Sequence, residues 1–284
     1  MSEIKTHEGY FNTEAAAAAK EEVSFSFGAN WQRFLAEVDD KAVLKAEESF
    51  VQFTKLKNLH DYDFLDLGSG SGLSSLVALR LGARRVVSVD IDPNSVECTK
   101  ALRQKYEIPE DRWQIHHGSV LDRKFLESLG RHNYVHSWGV LHHTGDMWQA
   151  VTNVIELNTV ENGLFQTALY NKHRTSRTWL KIKRMCNRSP RFWFPVLKWL
   201  YISLLFLKMT LTLKSPIRYV REYDSHRGMN FFRDIDDWCG GLPYEFSSPA
   251  ETVNFLSDRG FSLLRIKTVD SVGCNEFLFR RCGS

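Results

Sequence analysis

Short apolar runs alternate with helical patterns along the middle of the chain. Between these runs lie segments with helical spacing, such as LSSLVALRLGA and PNSVECTKALRQKY. Because parallel strands need crossover helices, this alternation predicts a doubly wound α/β sheet. Five runs from residue 63 onward have the β-rich composition of buried strands: FLDLG, RRVVSVDID, WQIHHGSV, RHNYVHSWGVL and GLFQTALYN.

The alternation stops after residue 171 and resumes near residue 246. The stretch between them is basic, aromatic and mostly helical in pattern. It is followed by SPAETVNFLSDRG, which has a serine cap, a proline in the first turn and a closing glycine, the signals of a helix. FSLLRIKTV and CNEFLFRR then alternate with period two and predict the two closing strands. A seven-stranded sheet with a helical insertion after the fifth strand is therefore predicted.

The pattern divides the single domain into four segments. They are an N-terminal helical lid (1–62), the α/β core (63–171), a helical cap insertion (172–245), and the last helix with the closing strands (246–284). At 284 residues, of which 43% are hydrophobic, the chain has ample material for one core.

Composition excludes several classes of protein. The net charge of +3 is mild, so a dedicated nucleic-acid binder is not predicted. Five cysteines are scattered without C-x-x-C spacing, which predicts neither a disulfide framework nor a zinc site, and no other metal site is expected. The N-terminus lacks the pattern of a secretory signal. These features together predict a cytoplasmic protein.

A glycine-rich turn follows the first predicted strand. Gly68, Gly70 and Gly72 would let the backbone approach a ligand at the start of a helix, where the dipole is positive. The glycines alone are equally compatible with a dinucleotide site, but Leu73 stands where that fingerprint has its last glycine or alanine. Asp66 lies inside the strand, where a carboxylate needs N–H groups or a cation and would repel a diphosphate.

Four motifs in order, DLGSGSG, VVSVDID, HHGSVLD and SWGVLHHTGD, resemble the class I S-adenosylmethionine-dependent methyltransferases. The similarity covers about residues 64–170 and the closing strands. It implies a Rossmann-like, mostly parallel sheet, S-adenosylmethionine as cofactor and S-adenosylhomocysteine as product. The cofactor contacts that it implies are Asp66, Gly68, Ser69 and Gly70 at the methionine portion, Asp90 and Ile91 at the ribose and adenine, Ser119 and Val120 beside the adenine, and Ser137 and Trp138 at the sulfonium.

Two features of these motifs leave alternatives open. Many relatives carry an acid where this chain has Ser119, and here the acid comes later, as Asp122. Asp122 either meets the adenine or caps the helix RKFLESLG. His142 and His143 follow the fourth strand, where the resemblance implies a catalytic base or orienting group. From the residues alone, either histidine could equally cap the next helix or bond a carbonyl.

Substrate and lid residues are predicted from the variable segments. In SFSFGANW, the resemblance implies that Phe27 and Trp31 cover the cofactor, while the alternative is a helix packing stripe. The dense charged and aromatic stretch before the last helix is expected to form the substrate wall, and its arginines can bond an anion through two N–H groups. The candidates are Arg221, Tyr223, Arg227, Asp237, Trp238 and Tyr244, with Tyr170 and Asn171 from the fifth strand.

Residues 191–213 are apolar over the length of a membrane span. Pro195, Lys198 and Lys208 interrupt this stretch, which disfavours a true span. A buried cap helix, a subunit contact in a homodimer and a helix lying in the membrane interface remain open.

The resemblance implies methyl transfer to an oxygen, nitrogen or carbon atom of a small molecule. VLHHTGD is similar to the motif of quinone-biosynthesis and natural-product methyltransferases. No motif of the N-P-P-Y type follows the fourth strand, so nucleic-acid and protein-amide acceptors are less favoured. The alternatives are a membrane-surface methyltransferase acting on a lipid or prenylated quinone, and a non-catalytic binding or assembly protein that keeps the cofactor fold.

Overall fold

The structure is a computed structural model. It describes residues 40–188, 193–213, 215–227 and 231–283. The predicted lid residues Phe27 and Trp31 lie outside the described residues.

Seven strands form one sheet, as the sequence predicted. Their order is β3-β2-β1-β4-β5-β7-β6. Neighbouring strands from β3 to β5 are parallel, and β7 runs antiparallel to β5 and β6. The mostly parallel, doubly wound sheet is thereby confirmed. The strands are β1 (Asp63–Leu67), β2 (Arg85–Asp90), β3 (Trp113–His117), β4 (His132–Trp138), β5 (Thr159–Tyr170), β6 (Phe261–Lys267) and β7 (Cys274–Arg281).

Helices cover both faces of the sheet, and among the described residues four more form the cap. A short 3₁₀ turn, Leu141–His143, follows β4. Ser248 begins the last helix with a complete capping box, as its sequence predicted. The helices are α1 (Asp40–Thr54), α2 (Leu73–Arg80), α3 (Pro93–Lys105), α4 (Arg123–Leu129), α5 (Met147–Leu157), α6 (Ser176–Arg188), α7 (Trp193–Leu211), α8 (Pro216–Arg227), α9 (Phe231–Gly240) and α10 (Pro249–Ser257).

Strand β5 begins earlier than its sequence predicted. The helical pattern extends through residue 160, yet α5 ends at Leu157 and β5 starts at Thr159. The buried amide of Asn158 explains the difference, because its Nδ2 donates to the carbonyls of Leu126 and Gly130, each at 2.9 Å. These bonds fix the chain at the point where the helix stops, and tertiary contacts decide the boundary.

The core lies in two layers, one on each face of the sheet. Along β1, Phe64 faces the layer with α1 and α2, while Leu65 and Leu67 face the layer with α5 and α10. This alternation is the period-two pattern of a strand that is buried on both faces. A separate apolar cluster, which includes Ile202 and Phe231, holds the cap helices together.

Candidate active site

The glycine turn lies at the carboxyl edge of β1. Its glycines 68, 70 and 72 all have positive φ values, of 80°, 55° and 82°. The N–H groups of Gly68 and Ser69 both donate to the Val89 carbonyl, at 2.8 and 3.0 Å. A Cβ added at Gly68 would come within 2.2 Å of Val140, so the turn packs directly against the segment after β4. Only glycine fits both the conformation and the space at this position.

Asp90 joins the end of β2 to this turn. Its Oδ2 accepts from the Gly70 N–H and its Oδ1 from the Asp92 N–H, both at 2.9 Å. Burial raises the pKa of Asp90 to about 6, against the opposing effect of those two N–H donors. The carboxylate is therefore ionised at neutral pH and lies where a ligand beside the glycine turn would meet it.

The N-terminus of α2 opens at the same edge. Gly72 is its N-cap, in the left-handed conformation, and no side chain caps the helix. The first-turn N–H groups and the positive end of the helix dipole therefore face the glycine turn, an arrangement that suits a carboxylate. Next to the end of β4, a Cβ added at Gly139 would meet no atom within 4 Å among the described residues, so the backbone there borders open space.

Three large apolar side chains are exposed where neighbouring strands end. Ile91 follows β2, Leu121 follows β3, and Trp138 ends β4, with exposed fractions of 49%, 38% and 50%. Exposed apolar side chains of this kind can pack on the flat faces of a ligand ring. The contacts of Ile91 with the base and of Trp138 with the sulfonium, which the resemblance implies, stay predictions.

Asp66 and Ser137 lie in the core, and their predicted contacts with a cofactor need correction. Asp66 is 2% exposed, and its carboxylate accepts from the Ser75 hydroxyl at 2.6 Å and bonds Nδ1 of His136 at 3.0 Å. The buried hydroxyl of Ser137 donates to the Leu67 carbonyl at 2.9 Å. Both side chains tie strands and α2 together below the turn, because a buried polar group needs such partners.

In the loop after β3, Asp122 caps the next helix, which was one of the two roles left open for this residue. Asp122 accepts from the Phe125 N–H at 3.1 Å and begins α4. The Ser119 hydroxyl accepts from the Leu121 N–H at 3.2 Å. Val120 is buried, and its carbonyl accepts from the Asn153 amide at 3.1 Å. The carbonyl of Val120 is therefore already engaged within the fold.

His143 has a defined tautomer. Its Nδ1 lies 2.6 Å from the Pro243 carbonyl, and a carbonyl can only accept. Nδ1 therefore carries the hydrogen and Nε2 the lone pair in the neutral ring. Burial, followed by the positive charge of Lys183, lowers the pKa of His143 to about 4 despite the bond to Pro243. The ring is neutral at physiological pH.

His142 is completely buried beside it. Burial holds the pKa of His142 well below its usual value, and His143, when it is protonated, and the charge of Lys183 act in the same direction. The Ala168 carbonyl favours the protonated ring, but neither ring nitrogen completes a hydrogen bond with a described residue. The ring centroid lies 4.0 Å from that of Tyr170, so the side chain packs as an aromatic ring.

Three predicted substrate residues form one aromatic wall, which we define as Tyr170, Trp238 and Tyr244. The ring centroid of Tyr170 lies 5.0 Å from that of Tyr244 and 5.8 Å from that of Trp238. The Trp238 and Tyr244 centroids are 5.9 Å apart. His142 belongs to the 3₁₀ turn Leu141–His143, which we call the histidine turn, and it also packs on Tyr170. The wall and the histidine turn therefore form one contiguous aromatic cluster.

Lys183 is a site residue that the sequence analysis did not single out. It is fully buried, its ammonium donates to the Trp238 carbonyl, and it lies 4.4 and 4.9 Å from the ring centroids of Trp238 and Tyr244. A signal was present, because Lys183 falls in the apolar stripe of α6 with Trp179 and Cys186, at spacings of four and three residues.

Glu245 was also missed. Its Oε1 accepts from the Met147 N–H at 3.1 Å, and its own N–H donates to the His142 carbonyl at 3.0 Å. Burial raises the pKa of Glu245 to about 7, and its Oε2 has no hydrogen-bond partner among the described residues. Glu245 thus attaches the end of the cap to α5 and to the histidine turn.

The other predicted residues lie elsewhere. Asn171 donates to the carbonyls of Val269 and Ser271 and accepts from the Asn275 amide, so its amide serves the fold and not a substrate. Ser69 shares a hydrogen bond with Thr99 at 3.2 Å. Arg221 is exposed on α8. The side chains of Tyr223, Arg227 and Asp237, on α8 and α9, lie outside the described part of the chain.

Comparisons with known proteins find methyltransferases. The family model of the ribosomal protein L11 methyltransferases (PrmA) matches residues 43–127. The ribosomal protein L11 methyltransferase of Cyanothece sp. is 44% identical over 55 residues, which is 19% of this chain and 19% of that protein. The chain thus spans about a fifth of the length of this curated relative.

Solved structures show a similar fold over most of the chain. PKMT2 from Rickettsia typhi in complex with AdoHcy has a TM-score of 0.57 at 12% identity, over 91% of this chain and 54% of that one. An O-methyltransferase family protein from Burkholderia thailandensis has a TM-score of 0.52 at 11% identity, over 86% of this chain and 58% of that one.

Proposed function

We propose that this chain, which has the fold of the class I S-adenosylmethionine-dependent methyltransferases, transfers a methyl group from S-adenosylmethionine to a small-molecule acceptor. One observation carries the proposal: the Asp90 carboxylate accepts from the Gly70 N–H at 2.9 Å and fixes the glycine turn at the end of β1. Strand order reverses at β1, between β2 on one side and β4 on the other, and doubly wound sheets bind ligands at this point.

The residues around the turn fit the chemical groups of this cofactor. The uncapped N-terminus of α2 suits the carboxylate of its methionine portion. Asp90 can accept from the two ribose hydroxyls, Ile91 offers apolar surface to the base, and Trp138 offers it near the sulfonium. When bound, the cofactor supplies a methyl group on a positively charged sulfur, open to direct attack by a nucleophile.

The acceptor must be inferred from a different part of the chain than the cofactor. The match to the L11 methyltransferases ends at residue 127, before β4, the histidine turn and the cap. The relatives' protein substrate therefore says little about the acceptor used here. The aromatic wall packs against the histidine turn, and a site lined by aromatic rings suits a small molecule with an apolar body better than a folded protein.

His143 can serve as the proton acceptor. Its neutral ring leaves Nε2 able to accept a proton from a hydroxyl or amine, while the Pro243 carbonyl holds the ring in place. Lys183 keeps positive charge near this point, which favours an acceptor that loses a proton as it reacts. An oxygen, nitrogen or acidic carbon nucleophile meets these conditions.

A lipid or prenylated quinone is the second candidate acceptor. One observation favours it: α7 in the cap exposes a row of large apolar side chains, among them Trp199, Leu200 and Leu204. A membrane-bound acceptor would reach the site through that cap.

Calorimetry with S-adenosylmethionine tests cofactor binding. We expect the protein to bind it, and Asp90→Ala to lower the affinity at least about tenfold, by loss of the ribose contacts. Asp111→Ala is the matched control, because Asp111 is an exposed aspartate between α3 and β3. No binding by the unmodified protein would support the non-catalytic alternative.

Labelled S-adenosylmethionine tests the acceptor class. The protein is incubated with a cell extract that is separated into small-molecule, lipid and protein fractions. Label in the small-molecule fraction supports the proposal, and label in the lipid fraction supports the second candidate. Label on a ribosomal protein would contradict both.

A further inference from the structure

The cap carries an exposed apolar surface along the outer side of α7. We define the outer face as Val196, Trp199, Leu200, Leu204, Leu207 and Leu211, each of which is more than half exposed. The spacing of three and four residues places these side chains on one side of the helix. Monomeric proteins rarely leave such a row of large apolar side chains in water.

The opposite side of α7 is packed. Ile202 and Met209 are 1% and 7% exposed, and Ile202 belongs to the cap cluster with Phe231 and Cys186. The helix is therefore apolar around its circumference, and among the described residues it is the one with the length and composition of a membrane span. A spanning orientation would strip the packed side from its cluster, so the helix is suited to lie flat with its outer face turned away from the protein.

Charge identifies what the outer face meets. Residues 172–221 contain thirteen lysine and arginine residues and no aspartate or glutamate. The rest of the chain contains 24 lysine and arginine residues against 34 acidic ones. Positive charge is thus concentrated in the segment of the cap that contains α6, α7 and the first half of α8. Lys181, Arg188 and Lys208 are exposed there.

We propose that the cap docks on an anionic lipid bilayer, with the outer face of α7 in the headgroup region and the surrounding basic side chains against the lipid phosphates. An apolar helix face bordered by lysine and arginine is the combination that binds such surfaces. Trp199 suits the boundary between headgroups and acyl chains, and Lys208 lies at the flank of the face, where its stem can reach the headgroups. The proposal does not depend on methyl transfer.

Two other occupants are less suited to this face. A second copy would meet it with the same face in a symmetric dimer, which would bring the two strongly basic segments together. Residues 1–39 have an excess of acidic residues and could cover the face within one chain. In that arrangement the full chain would not bind vesicles. Vesicle binding by the full chain therefore distinguishes the proposal from it.

Vesicle sedimentation tests the proposal with the full chain. We expect it to sediment with vesicles of phosphatidylcholine mixed with phosphatidylglycerol, more weakly with phosphatidylcholine alone, and less as salt is raised. The variant Leu200→Asn/Leu204→Asn/Leu207→Asn should lower the partition coefficient at least about tenfold, because it removes the apolar contact. Lys181→Gln/Arg188→Gln/Lys208→Gln should weaken the preference for the anionic lipid, because it removes three of the thirteen positive charges of this segment.

The matched control makes the same kind of substitution, from a large apolar residue to asparagine, at exposed positions outside the cap. Leu44→Asn/Leu264→Asn/Ile266→Asn changes three exposed apolar residues on α1 and β6, and it should bind as the unmodified protein does. Thermal unfolding of each variant confirms that it is folded. Failure of the full chain to sediment with anionic vesicles would overturn the proposal, as would equal binding by the outer-face variant. A dimer in light scattering that this variant dissociates, without vesicle binding, would assign the face to a second copy.

Discussion

Nδ1 of His143 lies 2.6 Å from the carbonyl of Pro243, a residue 100 positions later in the chain. The next residues of the same segment reinforce this link, since the Glu245 N–H donates to the His142 carbonyl at 3.0 Å. The segment that returns from the cap therefore fixes both the position and the tautomer of the histidine. The proton acceptor of the proposed reaction is prepared by a contact between the core and the cap.

The tautomer and charge of His143 can be measured directly. We expect long-range ¹⁵N–¹H spectra of histidine-labelled protein to show the hydrogen on Nδ1 and a pKa of about 4. His143→Gln assigns the signals. A ring that titrates near its ordinary pKa, or carries its hydrogen on Nε2, would contradict the site described above.

Lys183→Met tests the charge that acts on this histidine. Lys183 lowers the pKa of His143 by its positive charge, and burial lowers it more. Without the ammonium, the pKa should rise from about 4 but stay below the ordinary value, because the ring remains buried. Arg188→Met, on the exposed side of α6, should leave it unchanged. The same spectra report both variants.

Cofactor affinity should depend on the protonation of Asp90. Its pKa of about 6 means that the carboxylate becomes neutral as the pH falls through that value. A protonated carboxyl loses one acceptor position for the ribose hydroxyls, so affinity should fall between about pH 7 and about pH 5. Calorimetry across this range measures the effect. Asp90→Asn should bind weakly and without this pH step, and a flat profile for the unmodified protein would argue against the role of Asp90.

Gly68→Ala should disrupt the glycine turn through a specific clash. The added Cβ would meet Val140 at 2.2 Å and would also hold alanine at a φ of 80°. Gly260→Ala, just before β6, is a matched control, since its φ is 79° but a Cβ there meets no atom within 4 Å among the described residues. Both changes carry the left-handed strain of about 1–2 kcal/mol, and Gly68→Ala adds about 1–3 kcal/mol of overpacking.

Chemical denaturation and calorimetry separate these two effects. Gly68→Ala should lower the free energy of unfolding more than Gly260→Ala does, and it alone should weaken cofactor binding. Adding Val140→Ala to Gly68→Ala should restore part of the loss, because it removes the two closest carbon atoms. Equal effects at the two glycines would show that the packing against Val140 is unimportant.

Glu245→Gln should make the stability less dependent on pH. The folded pKa of about 7 lies above the ordinary value of 4.5, so the stability contributed by Glu245 is fully present below 4.5 and is lost as pH rises through 7. Glutamine keeps an acceptor for the Met147 N–H without a buried charge. The variant should therefore gain of the order of 1–2 kcal/mol over the unmodified protein above about pH 8, and little near about pH 5.

Urea unfolding at both pH values measures this difference. The exposed Glu127 on α4 provides the control, and Glu127→Gln should have the same effect on stability at each pH. A stability gain for Glu245→Gln that does not grow with pH would contradict the buried charge of Glu245.

The alternation of strands and helices was predictable because each element carries its own period. β1 reads as a continuous apolar run since both its faces are buried, and Ser248 begins α10 with a cap that lies within a few residues. The start of β5 was not predictable, because it depends on hydrogen bonds of Asn158 to residues about 30 positions earlier. Local signals fix elements, and distant contacts fix some of their boundaries.

In the site, too, the features that depend on local sequence were predictable, and those that depend on distant contacts were not. Gly68 and Asp90 could be placed at one sheet edge because Gly68 follows the last residue of β1 and Asp90 is the last residue of β2, and parallel strands end together. The sequence could not show that the Asp66 carboxylate is hydrogen-bonded to Ser75 and His136, since those partners come from other elements. Likewise, the signal of Lys183 was its place in an apolar stripe, and its partners lie on another helix.

By itself, the sequence determined the sheet, the glycine turn and the acid at the end of β2, because spacing and period along the chain are enough to specify them. Only the tertiary structure decided which polar groups face the crevice and which are used within the core. It also decided that His143 is neutral and that the outer face of α7 is exposed. Burial and hydrogen bonding depend on neighbours far apart in the chain, and these neighbours meet only in the folded molecule.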